Sequence, residues 1–133
     1  MATGPSTATA NSWLDALFNN TSFAGGATVG MKIHVADPGA AGTSGAASET
    51  TLKSVSFGSA ASAAISNDAQ IQWTSIASAN PEDITHFSLW NGTTGPGTDI
   101  FRGSGTVTAN PINTGDTLTI AIGDLDITLT PAS

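Results

Sequence analysis

From residue 28 onward the chain is written in short runs of period two, cut by glycine, proline, asparagine and aspartate. No other feature restricts its fold as tightly. In Thr28–Ala36, Val29, Met31, Ile33 and Val35 alternate with Gly30, Lys32 and His34. Successive side chains of a strand point to opposite faces, so this run reads as a half-buried strand with its polar face out. Leu52, Val55 and Phe57 mark a second strand with a bulge or register shift between Leu52 and Val55, and Ile71 and Trp73 alternate across a third. Ile84–Trp90 sets Ile84, His86, Ser88 and Trp90 on one face and Thr85, Phe87 and Leu89 on the other. Ile100–Thr108 follows and is expected to close at Asn110-Pro111. Leu118, Ile120 and Ile122 alternate, and so do Leu125, Ile127 and Leu129 beyond Gly123-Asp124; these two runs read as a hairpin or one strand bent at a glycine bulge. Gly58–Asn67 is rich in small residues and is ambiguous.

About seven short strands with regular turn signals predict a mainly β fold, an antiparallel β-sandwich or barrel-like domain with one short N-terminal helix. The helix signal is Ser12 followed three residues later by Asp15, a capping-box-like pair. Trp13, Leu14, Leu17 and Phe18 then form one apolar stripe, ended by Asn19-Asn20. A helix of about two turns is marginal alone, so the stripe has to dock on something. Residues 1–11 read as a flexible arm that orders against a partner, and residues 12–133 as a single β-sandwich domain carrying the helix at 12–19.

Chemistry-bearing residues are scarce. The 133 residues hold 3 Lys+Arg, 10 Asp+Glu, 2 His and no Cys, for a net charge of −7. Scattered cations cannot track a phosphate backbone, so nucleic acid is not an expected partner. The absence of cysteine removes disulfides, thiolate nucleophiles and thiolate zinc sites. No run approaches the roughly 20 apolar residues of a membrane helix, so no membrane association is expected. Met1-Ala2-Thr3-Gly4-Pro5 lacks the basic and apolar regions of a secretory signal, which points to assembly in a host cytoplasm.

The remaining candidates for chemistry are few. His34 and His86 lie in predicted strands with no spacing that favours a metal, and they read as ordinary polar residues. Asp124 and Asp126, near Asp116, form the closest carboxylate pair. They fit a turn followed by a strand with outward acids better than a calcium loop or a glycosidase pair. Neither Ser12 nor Ser88 has a nucleophile-elbow context, and the glycines of Gly92–Gly97 have no lysine to read a phosphate. Of Trp13, Trp73 and Trp90, most read as core. Trp90, beside the Asn91–Gly97 turn, is expected to be partly exposed and, with Asn91, offers a possible binding edge for a glycan or receptor. No catalytic residue, cofactor or metal is expected.

Several segments together resemble a family of small tailed-bacteriophage virion proteins, labelled tail-fibre or head-decoration proteins in actinobacterial phages. The resemblance runs from Val29 to Ala36-Asp37-Pro38-Gly39, through Val55-Ser56-Phe57-Gly58, Ser66-Asn67, Ile71-Gln72-Trp73 and Ile84–Trp90, to Phe101-Arg102-Gly103. It is strongest in Gly115-Asp116-Thr117-Leu118 and Gly123-Asp124-Leu125-Asp126-Ile127-Thr128-Leu129. The arm before residue 11 and a shortened 40–50 loop depart from it. The resemblance implies a non-enzymatic virion structural protein, one decorating or stabilising the capsid exterior, with a tail-fibre or tail-tip protein that binds the host surface as the alternative. Its partners are then other virion proteins, a major capsid or tail protein, and sister copies in a homo-oligomer, a trimer fitting best. The stripe Trp13, Leu14, Leu17 and Phe18 is the expected interface.

Overall fold

The computed structural model describes residues 4–23, 25–26 and 28–130. Along the chain these form β1 (Gly4–Pro5), α1 (Thr7–Phe18), β2 (Val29–His34), β3 (Lys53–Val55), β4 (Ala64–Ser66) and β5 (Ile71–Trp73). They continue with β6 (Glu82–Trp90), β7 (Phe101–Ile112), β8 (Leu118–Ile120) and β9 (Asp126–Thr128). The fold is mainly β and sandwich-like, and every named strand pairing is antiparallel. A five-stranded sheet runs β1-β7-β6-β2-β3, and opposite it lie two ribbons, β5-β8 and β4-β9. Between these layers is the core. Met31, Ile33, Val55, Ile84, Phe87, Leu89 and Ile112 from the sheet meet Ile71, Trp73, Ile76, Leu118 and Leu125 from the other side. Among the described residues no helix is long and apolar enough to cross a membrane.

The seven strands read from the sequence are all present, joined by the two short ones, β1 and β4. Several details differ. β8 and β9 do not pair with each other: β8 pairs with β5 and β9 with β4, because the chain turns at Ile122–Asp124 and changes ribbon. β7 does not close at Asn110-Pro111 but continues to Ile112, with Pro111 opposite Asp83 at its far end. Proline is tolerated there because the outer edge of β7 has no partner strand at that point. In β6 a register shift between Ile84 and His86 breaks the alternation and turns Ile84 into the core alongside Phe87 and Leu89.

β2 does not present a polar face to water. It is a central strand between β6 and β3, and Lys32 and His34 are buried along with Met31 and Ile33. The 36–47 segment folds over that second face, bridging His34 to Ala46 and seating Gly42 against the Phe101 ring. Gly30 lets the Asn91–Asp99 loop lie directly on β2; a Cβ there would collide with the Gly92 carbonyl.

Candidate functional site

Helix α1 starts five residues earlier than Ser12. Ser6 is the N-cap, extended at φ −64° and ψ 157°, and its hydroxyl accepts from the Thr9 amide at 3.2 Å. That hydroxyl also donates to the Phe101 carbonyl at 2.7 Å, and the Ser6 amide donates to the Arg102 carbonyl at 2.8 Å. With Gly4 and Pro5 paired to Ser104 and Gly103, the segment just before the helix is an edge strand and cap, not a free arm. Residues 1–3 of the expected arm lie outside the described residues. Ser12 instead donates back to the Ala8 carbonyl at 3.0 Å, and the Asp15 side chain accepts from Asn19 at the helix end.

This early start decides which face of the helix is buried. Thr9 is buried, and Trp13 and Ala16 are partly covered, so the inner face is built from residues spaced at one helical turn. Leu14, Leu17 and Phe18 turn outward with 55%, 74% and 78% of their surface exposed. Of the four stripe residues, Trp13 alone leans toward the body. Beyond the helix, Phe23 returns to β7, where the Arg102 guanidinium lies 5.2 Å from its ring centre.

The expected binding edge at Trp90 is not available. Trp90 is 2% exposed, and its ring packs at 5.3 Å from that of Phe101. Asn91 is occupied in closing its own loop: its Oδ1 accepts from the Ile100 amide at 2.6 Å and its amide donates to the Ile100 carbonyl at 3.1 Å. The same loop is tied by Asp99, whose carboxylate accepts from the Thr94 and Gly95 amides at 2.7 and 2.6 Å. Trp73 is buried in the core, with its Nε1 donating to the Thr51 carbonyl at 2.9 Å.

A histidine, a serine and a tryptophan meet on the covered face of the sheet, which the sequence did not suggest. His34 Nε2 and Ser88 Oγ are 2.8 Å apart, Trp90 Nε1 donates to the same Oγ at 2.8 Å, and His34 Nδ1 faces the Ser44 carbonyl at 2.8 Å. A carbonyl can only accept, so Nδ1 carries the proton and Ser88 donates to Nε2. Burial pushes the His34 pKa below 6.5, against the upward pull of the Ser44 carbonyl, and the charges of Lys32 and His86 push the same way. The pair has the spacing of a serine–histidine dyad, yet His34 and Ser88 are both 0% exposed and the serine oxygen is already shared between two rings. His86, opposite His34 in the β2–β6 register, has its Nδ1 2.8 Å from Thr85 Oγ1. No sequence motif flags the pair, because its members stand 54 residues apart.

Asp124 lies in the turn before β9, and Asp126 on β9 accepts from Ser66 Oγ. Asp116 accepts from the Asn113 amide at 2.8 Å. Among the described residues no three His, Asp or Glu side chains come together as a metal site would need. The residue that organises this end is Asn67, which is buried. Its amide nitrogen donates to the Ala69 and Ala121 carbonyls, both at 2.9 Å, and its Oδ1 accepts from the Gly123 and Leu125 amides at 3.1 and 2.9 Å.

No curated protein matches the chain. Over residues 4–128 it matches the family described as Gp80, podophage GP4 fiber I protein gp80. That span takes in the helix and every strand described above. The chain therefore belongs to this family of phage fibre proteins, a virion structural family.

Proposed function

We propose that the protein is a non-enzymatic structural subunit of a phage fibre, held in the particle through the outward face of α1. The observation that carries this reading is the unpartnered trio Leu14, Leu17 and Phe18 on a helix clamped to a β body by Ser6. Burying side chains of this size gains about 1.5–3 kcal/mol each. Three of them per copy hardly offset the cost of association, about 4–15 kcal/mol, so the contact suits a protein held at many equivalent places at once. Closed cyclic symmetry, with three sister copies, would present three such faces to neighbouring virion chains. The word fibre in the family description favours the tail-fibre reading over decoration of the capsid exterior.

The test is to supply the phage with the double variant Leu17→Asp, Phe18→Asp and to label purified particles with gold-conjugated antibody. Wild-type label is expected along fibres, and the variant, folded in solution, is expected to be missing from particles. Incorporation of the variant at wild-type copy number would remove α1 as the contact. Label spread over the head would move the protein to the capsid exterior.

A further inference from the structure

We propose that the open seam between β7 and β8 receives an extended polypeptide segment of a different virion chain, apolar at alternate residues and carrying a Lys or Arg where it meets Asp124 and Asp126. Followed around the core, the strands run β7-β6-β2-β3, then β5 beside β3, then β8 paired with β5. The wall thus comes almost full circle and stops. β1 covers the outer edge of β7 at Gly103 and Ser104 alone. Among the described residues no strand pairs with that edge from Gly105 onward, nor with the outer edge of β8.

Between these two edges lies a cleft of about 450 Å³. Its floor is Met31 and Phe87, and its walls include Val107 on one side and Ile120 on the other. A smaller hollow of about 100 Å³ continues it between the same strands toward Ile84 and Leu118. Free strand edges offer rows of amide donors and carbonyl acceptors, and an added strand is the ligand that can satisfy such a row along its length. The free stretch Gly105–Asn110 bulges and lies opposite four residues of β6, Ile84–Phe87, so it spans about 13 Å at about 3.3 Å per residue and suits a guest of about four residues. Guest side chains pointing in would meet an apolar floor, and those pointing out would meet water, hence the alternation.

Charge selects the guest. Asp124 and Asp126 stand on the rim of the larger cleft, and no Lys, Arg or His lines it. A second copy of this chain is a poor donor. Its three cations, Lys32, Lys53 and Arg102, all lie within paired strands, so none can be offered without dismantling its own sheet. The seam does not involve α1, so this inference stands or falls separately from the contact proposed above.

The experiment uses the full chain and a fluorescently labelled, end-capped peptide, Lys-Val-Thr-Val-Thr-Val, followed by anisotropy. Saturable binding is expected, at least about tenfold weaker when Glu replaces the peptide's Lys, and lost when Pro replaces a central residue. Thr108→Trp and Thr119→Trp fill the cleft from exposed positions without removing a buried group. Each is expected to abolish binding with the urea midpoint unchanged, and Asp124→Lys with Asp126→Lys to invert the charge preference. Three results would each overturn the proposal: folded wild-type protein that ignores the Lys peptide, undiminished binding by both Trp variants, or a wild-type oligomer that Thr108→Trp converts to monomer. The last would give the seam to a second copy.

Discussion

A serine hydroxyl that joins an indole to an imidazole makes His34 the residue through which acid reaches this fold. The covered face of the sheet accommodates His34 as a neutral ring, held by Ser44 on one nitrogen and Ser88 on the other. Its folded pKa lies below 6.5, so in acid the unfolded chain takes up a proton that the folded chain resists. The stability this contributes is complete above about pH 6.5 and is lost as pH falls toward the depressed folded value. Urea midpoints are therefore expected to drop between about pH 7.5 and pH 5.5, and the drop is expected to shrink in His34→Gln. A second window lies lower. For Glu49 burial alone would raise the pKa, but hydrogen bonds from Thr51 and the Ala77 amide, with the Lys53 charge, hold it below 4.5. Its contribution is present above about pH 4.5 and disappears in stronger acid.

At the scale of the element, α1 shows how one cap fixes an interface. Local pattern places the helix start at Ser12, because Asp15 follows it three residues later. The fold chooses Ser6, because its hydroxyl reaches the Phe101 carbonyl 95 residues away as well as the helix amide. Starting there lets Thr9, Trp13 and Ala16 face the body and leaves Leu14, Leu17 and Phe18 outside. Ser6→Ala is expected to cost about 1–2 kcal/mol by urea unfolding and to increase amide exchange across residues 7–12. Unchanged exchange in that turn would mean that docking of Trp13, not the cap, sets the helix start. Strand existence was legible at this scale, since β2, β5, β8 and β9 fall inside alternating runs. The short strand Ala64–Ser66 was not, because its small side chains carry no alternation and its pairing is with Asp126–Thr128 far along the chain.

Across the whole molecule, the two ribbons are joined by a single buried side chain. Asn67 satisfies four backbone groups, three of them in the loop between β8 and β9, and so holds that loop against the segment that leads into β5. Asn67→Leu keeps the approximate volume but strands the Ala69 and Ala121 carbonyls and the Leu125 amide, each costing about 1–3 kcal/mol when left unpaired; the Gly123 amide keeps its bond to the Asn67 carbonyl. A loss of at least about 3 kcal/mol is expected in urea unfolding, with an unchanged slope. A loss under about 1 kcal/mol would show that water replaces the amide there.

Period-two alternation and turn residues were enough, from the sequence alone, to establish a mainly β chain with seven of its strands, while the resemblance to phage virion proteins rested on particular segments such as Gly115–Leu118 and Gly123–Leu129. Those features are local, and each residue carries its own part of the signal. The tertiary structure alone decided what each face meets: that Trp90 and the polar face of β2 are covered, that β8 and β9 part company, and that Asn67 and Ser88 find their partners. The bonds of Asn67 to the β8–β9 loop and of Ser88 to His34 join residues 54 to 58 places apart in the chain, and no local pattern records which distant segment will arrive.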